Sequence, residues 1–270
     1  MTIHRMLWGA VILAALSVPL VAQQQAPSGY HRVTCVKVKP GRSAEFRALV
    51  TGDISKVEHS QLNSGTISAW IVLRTVVPAG SEATCDYVFV AFYPGLPTPP
   101  MSDEETKAVL EKAGIGKTVS EWGQEHLENG YQVNNNITRQ AAIVGGTKKG
   151  DYLVLNSMSV PDISAWIDWE KKEWQPFAQA LVKDGLMSGW AINVQMFPRG
   201  AKVQNEANSV DLYPSWEAAV RGLGGGKAMD LWKSVHPDLK FEDAIAQAAK
   251  LRTIDAVTLY KVEEVMSPAK

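Results

Sequence analysis

Apolar and polar positions along this chain follow one order of patterns and then follow it again. From Val33 to Val38 β-type residues alternate with others, and Pro40-Gly41 ends the run. Ser43 to His59 carries apolar residues at Phe46, Leu49, Val50, Ile54 and Val57, a helical spacing. Ile67 to Val77 and Tyr87 to Tyr93 are β-rich runs joined by Pro78-Ala79-Gly80-Ser81, which predicts a hairpin. A proline-rich loop, Pro94 to Pro100, leads to helical stretches at Asp103 to Ala113 and Thr118 to Leu127. Gln140 to Val144 reads as a closing strand and Gly145 to Gly150 as a linker. The second half predicts strands at Tyr152 to Val160, Met187 to Phe197, Ser209 to Tyr213 and Ala256 to Val262. Its helices are Ile163 to Leu181, Trp216 to Val220 with Ala228 to Val235, and Glu242 to Lys250.

The residues repeat along with the pattern. Gly65-Thr66-Ile67-Ser68-Ala69-Trp70 returns as Gly185-Leu186-Met187-Ser188-Gly189-Trp190, and Tyr93-Pro94 returns as Tyr213-Pro214. Gly116-Lys117, Trp122 and His126 return as Gly226-Lys227, Trp232 and His236, at a smaller shift, so an indel lies between the two blocks. Two copies are too few for a solenoid and describe a duplicated domain. Each copy reads β-α-β-β-α-β, the order of a split βαβ or ferredoxin-like unit with helices on one face of an antiparallel sheet. The other face of each sheet is bare, and two such faces can cover each other. The expected fold is therefore α+β, with two tandem ferredoxin-like repeats, residues 30–147 and 148–270, packed sheet to sheet.

This duplicated element order resembles the dimeric α/β-barrel superfamily, which includes antibiotic-biosynthesis-type monooxygenases, NIPSNAP-like proteins and stress-responsive barrel proteins. The resemblance covers about residues 30 to 265 and implies an intrachain α/β barrel. Members range from cofactor-free oxygenases and haem enzymes to isomerases, and no family's catalytic motif maps onto this chain. Fold does not carry function.

Hydrophobic content of 46% and charged content of 20% are those of a globular chain. The formal net charge of -1 has no basic block behind it, so nucleic acid is not an expected partner. Residues 1–22 have the pattern of a signal peptide: His4 and Arg5 precede an apolar run from Met6 to Leu16, and Ser17 to Ala22 resembles a cleavage region. The run is shorter than a membrane span needs, so no stable membrane insertion is expected after cleavage. Residues 23–29 would be a leader, and the expected location is periplasmic or secreted. There Cys35 and Cys85 could pair, since an even count in an exported chain permits a disulfide. The second repeat has Asn156 and Asn205 at the matching places. Starts of neighbouring antiparallel strands lie at opposite ends, which counts against the bridge unless the strands are short or Cys85 sits in the loop before its strand; two buried free thiols are the alternative.

Several motif-like strings fail on spacing. Gly114 to Thr118 and Gly222 to Lys227 lack the first glycine of a phosphate-binding loop, Glu111 and Arg221 standing there instead. No zinc-type pairing of His and Cys occurs, and no metal or other cofactor is expected. Asn136-Ile137-Thr138 is a glycosylation triplet. The sharpest chemical signal is the repeated W-x3-H, because Trp122 with His126 and Trp232 with His236 each share a helical face, where an imidazole works near neutral pH. Pro237 after His236 places that histidine at a helix end, which makes His126 the better functional candidate. Along the central strands, Trp70 and Trp190 begin one face and Asn193 and Gln195 lie on the other. A helix-covered face rarely tolerates two amides, so the amides are assigned to the barrel interior.

Binding of a small apolar or aromatic molecule between the two sheets is the leading functional expectation, with Asn193, Gln195, Tyr93, Tyr213, Trp122 and Trp232 as candidate contacts. The alternative is a cofactor-independent monooxygenase- or isomerase-like enzyme in which His126, His236 or His59 removes a proton. A structural or interaction domain is the third reading. The covalent pairing of the repeats predicts a monomer or weak homodimer.

Overall fold

The computed structural model describes residues 29 to 268 except 201, 202 and 204, so the expected signal peptide and all but the last leader residue lie outside the described residues. The first half runs β1 (Tyr30–Val38), α1 (Ser43–Leu49), α2 (Ser55–Asn63), β2 (Ala69–Val77), β3 (Tyr87–Tyr93), α3 (Asp103–Lys112), α4 (Val119–Asn129) and β4 (Gly130–Gly145). The second runs β5 (Tyr152–Ser159), α5 (Ile163–Trp169), α6 (Gln175–Lys183), β6 (Gly189–Phe197), β7 (Ala207–Tyr213), α7 (Trp216–Arg221), α8 (Gly226–Val235), α9 (Phe241–Leu251) and β8 (Thr253–Met266). A π-helical turn, Val50–Ile54, joins α1 to α2 without a break, and Glu170–Trp174 joins α5 to α6 in the same way.

The strands form one closed antiparallel barrel in the order β1-β3-β2-β8-β5-β7-β6-β4. Each half contributes a ferredoxin-like sheet, and the halves join edge to edge through β2 with β8 and β4 with β6. Closure removes the free sheet edges that each half alone would expose. Inside, Ile71, Leu73 and Val88 of the first half pack with Leu153, Leu212, Tyr260 and Val262 of the second. Fully burying an aliphatic side chain is worth roughly 1.5–3 kcal/mol, so this common cluster ties the two halves together. Outside, Trp70 and Val72 meet Phe46 and Leu49 of α1, while Trp190 and Ile192 meet Trp166 and Phe177.

Cys35 and Cys85 form a disulfide with Cα atoms 5.4 Å apart, against the expectation from strand starts. Two facts explain it. β1 begins at Tyr30, which puts Cys35 toward its far end, and Cys85 precedes β3, in the loop. The register also corrects the repeat alignment: Cys35 faces Val88, while Asn208, the repeat counterpart of Val88, faces Ser157 rather than Asn156.

β4 and β8 are far longer than their apolar cores at Gln140 to Val144 and Ala256 to Val262 predict. Asn134, Asn135 and Asn136 have poor strand propensity, but they pair with Cys35, Thr34 and Val33 of β1, and that pairing overrides propensity. The glycosylation triplet therefore lies within β4, with Thr138 buried.

Candidate functional site

Inside the barrel, where the sequence places its expected cavity, apolar side chains of both halves pack together. A cavity of about 540 Å³ lies instead outside the barrel in the first half, between the sheet and its helices. Thr34 of β1, Trp70 of β2, and Phe89, Ala91 and Tyr93 of β3 form its floor. Ile54, Val57, Glu58 and Gln61 form the helical wall, and Trp122 and His126 of α4 close the side. Thr98 and Pro99 of the proline-rich loop, with Met101 just after it, lie across the top, where Arg32 donates a hydrogen bond to the Thr98 carbonyl. On the floor the Trp70 and Phe89 rings lie 8° from parallel, with centres 5.8 Å apart. Gly130 stands at the rim, where a Cβ would meet the Lys37 carbonyl at 3.0 Å and the Phe46 ring at 3.1 Å, so a larger residue would crowd the wall.

The π turn decides what the helix shows to this space. Counted from Phe46 on a regular α-helix, Glu58 would sit about 120° away from the inward direction. One extra residue in the turn rotates everything after it by about 100°, and brings Glu58 onto the inward face with Ile54 and Gln61. Glu58 accepts one hydrogen bond, from Gln61 Nε2 at 3.3 Å. Burial pushes its carboxyl up to about 7, against the opposing pull of Arg32. Burial likewise raises the Tyr93 phenol, whose ring has the Arg32 guanidinium carbon 5.7 Å from its centre.

α4 is held by devices readable in its own sequence. Thr118 and Glu121 form a capping box at its start. Lys117, of the repeated Gly-Lys pair, places Nζ 2.8 Å from Asp53 Oδ2 and 2.6 Å from Glu125 Oε2, tying the helix to the π turn. The lysine is thus an anchor and meets no phosphate-type cradle. His126 packs on Trp122 with ring centres 4.2 Å apart, and its Nδ1 lies 2.7 Å from the Trp122 carbonyl. A carbonyl only accepts, so Nδ1 carries the proton and Nε2 of the neutral ring keeps its lone pair. Burial lowers the imidazole from its ordinary value, which favours that neutral form.

Of the residues singled out in the sequence, Tyr93, Trp122 and His126 therefore line one cavity. The others do not join them. His236 caps the end of α8 with Nε2 2.7 Å from the Glu173 carbonyl and Nδ1 3.5 Å from the Glu173 carboxylate, so both ring nitrogens face one residue. Trp232 is buried and donates to the Leu239 carbonyl at 2.7 Å, and Tyr213 is buried in the same core. Asn193 lies within the barrel and donates to Asn208 Oδ1 at 2.9 Å; Gln195 donates to the Pro198 carbonyl at 3.0 Å. His59 is exposed on α2, beside Lys56 and Lys112 and away from the cavity, because it follows Glu58 by one residue and so points elsewhere. Arg32, Glu58 and Gln61 escaped the sequence reading; a carboxylate just past an apolar helical stripe carries no signal unless the π turn is known.

Among the described residues no cluster of three His, Cys, Asp or Glu could hold a metal ion, and no helix is long and apolar enough to cross a membrane. No family model matches the sequence, and no curated protein does. Solved structures do share its fold. One, named a "putative monooxygenase" from Lactobacillus acidophilus NCFM, superposes with a TM-score of 0.52 at 9% identity, over 89% of this chain and 96% of that one. A second protein of that description, from Fusobacterium nucleatum subsp. nucleatum, gives 0.51 at 7% identity, over 89% of this chain and 94% of that one. These likenesses, with the closed barrel of two ferredoxin-like halves, show a dimeric α/β-barrel fold contained in one chain.

Proposed function

We propose that the first half binds a small, flat, largely apolar molecule in the cavity over Trp70 and Phe89, and that the protein does so outside the cytoplasm. The observation that carries the binding reading is the contrast with the second half. At the repeat-related positions Ile54, Val57 and Gln61 become Trp174, Phe177 and Leu181, and these larger apolar side chains occupy the space. An unfilled apolar cavity forgoes packing that the same fold achieves in its other half, and small-molecule sites are concave, mostly apolar and edged by a few polar groups. Export is supported by the charged-then-apolar N-terminal pattern and by the Cys35–Cys85 bridge, which persists in oxidising compartments. The solved structures of like fold share too little sequence to lend their chemistry, so the cavity's own residues carry the reading.

The test is a titration with 1-anilinonaphthalene-8-sulfonate, a flat apolar dye whose sulfonate can face Arg32. Wild-type protein should bind it saturably with enhanced fluorescence, and the Ile54→Trp/Val57→Phe double variant, which copies the second half, should not. Equal binding by both would remove the cavity from consideration. A second reading, a cofactor-independent enzyme of the isomerase or monooxygenase type, is favoured by the Glu58 carboxyl in the cavity wall.

A further inference from the structure

We propose that Glu58 is a catalytic base that removes a proton from a flat carbon acid lying on Trp70 and Phe89, while Arg32 neutralises the negative charge that develops on the substrate's oxygen. The proposal rests on the cavity reading above and assigns that site its reaction and substrate class: conjugated carbonyl compounds with an acidic C–H.

Five observations converge on it. Glu58 is the one carboxylate among the cavity-lining residues, and the π turn is what brings it inward. Its repeat counterpart is Ala178, fully buried in the closed half, so packing of this helix on this sheet does not call for an acid. A carboxylate offers about four acceptor sites, and Glu58 fills one of them, with the Gln61 amide. A buried acid kept for structure is normally paired and fully hydrogen-bonded, yet among the described residues Glu58 forms no salt bridge. The charged and titratable groups facing it are Arg32 from β1, Tyr93 from β3, His126 from α4 and Tyr131 from β4. Arg32 alone of these carries a fixed positive charge, so it is the group suited to a developing oxyanion.

The step balances without a co-reactant. The C–H proton passes to the Glu58 carboxylate, and the C–H electron pair moves through the conjugated system onto the carbonyl oxygen, giving an enolate. The Glu58 carboxyl then returns the same proton to a different carbon of that system, which shifts a double bond and restores the base. A base poised near the working pH is half deprotonated and still strong enough to act, and Glu58 is raised to about 7. His126, with Nδ1–H on the Trp122 carbonyl, leaves Nε2 to accept a hydrogen bond from a substrate hydroxyl.

The experiment uses 5-nitrobenzisoxazole with the full chain. A base takes its ring C–H proton, the C–H electrons form a nitrile, the N–O bond breaks, and the oxygen leaves as a coloured nitrophenolate. Probe binding is read separately from quenching of the cavity tryptophans. Wild type should turn the probe over with a rate that rises through about pH 7 and then levels. Glu58→Gln, which copies the shape of the protonated acid, should bind with similar affinity and lose roughly 100-fold or more in kcat/KM. Glu58→Asp, one methylene shorter, should keep the pH inflection at a reduced rate. Binding by wild type without turnover above buffer, or equal turnover by wild type and Glu58→Gln, overturns the assignment and leaves the cavity reading intact. Absence of quenching in both proteins defeats the cavity reading, and this proposal with it.

Discussion

The two halves of this barrel share strand order, strand pairing and even the π turn, but they use the space between sheet and helices in opposite ways. In the second half it is packed shut. Phe177 meets Trp232 edge to face at 5.1 Å, and Phe241 of α9, a helix with no counterpart in the first half, closes on Trp232 at 5.3 Å and on Trp174 at 6.1 Å. In the first half β4 follows α4 directly, smaller residues face the sheet, and a longer proline-rich loop arches over a cavity. The difference teaches which of the repeated residues are scaffold. Trp70 and Trp190 hold helices on the sheet in both halves, whereas Arg32, Glu58 and Gln61 are polar only where the cavity is open, their structural counterparts being Val154, Ala178 and Leu181.

The largest effect expected from this contrast is on packing. Phe177→Ala should destabilise the protein by about 3–5 kcal/mol, because it opens a hole in a closed aromatic cluster, while Val57→Ala at the equivalent place should cost less than about 2 kcal/mol, since one side of Val57 already borders open space. Denaturant unfolding of the two variants measures both; similar losses would mean that the first half is packed as tightly as the second.

The repeated histidines sharpen the same point at smaller energy. His236→Gln removes a buried tie between α8 and the π turn of the second half, and should cost roughly 1–2 kcal/mol. His126→Gln breaks a bond made within one helix, so its melting temperature should stay near that of wild type while dye affinity changes. A destabilised His126→Gln that binds the dye normally would make the two histidines alike.

The smallest effects concern pH, and their sign is fixed by burial. Glu58 and Glu170 are raised to about 7 and Asp211 to about 6, chiefly by desolvation. The folded chain therefore holds protons that the unfolded chain has released, and the stability these groups support is full below the ordinary carboxylate range and lost as pH rises toward 7. His31, buried against Phe92 and lowered to about 4, acts in the opposite direction: its share is full above its ordinary 6.5 and lost as pH falls toward 4. Glu170→Gln should accordingly melt higher than wild type at about pH 8 and close to it at about pH 5. Glu58→Gln should show the same trend, and the size of the two differences compares the cost of an acid in a sealed core with that of one facing a cavity.

Much of this molecule is legible one residue at a time. The duplicated strings around Trp70 and Trp190 announce two like units, and the amides at Asn193 and Gln195 tell which strand face turns away from the helices. Tyr93, Trp122 and His126 are recognisable as a set because they recur. The residues that give the cavity its chemistry do not recur, and that is why repetition hides them: Glu58 has Ala178 as its counterpart, and a straight helical count places it off the inward face.

Local patterning thus determines what each segment can bury, and so determines the elements, their order and the pairing of two bare sheets. It does so because apolar periodicity is a property of neighbouring residues. Three outcomes depend on contacts distant in sequence. The Asn-rich stretch became strand because β1 lies beside it; the cysteines met because β1 starts early and Cys85 falls in a loop; and open space arose outside the barrel because the volumes of Ile54 and Val57 do not add up to those of Trp174 and Phe177. Whether a cavity exists is a sum over every side chain that surrounds it, and only the assembled tertiary structure performs that sum.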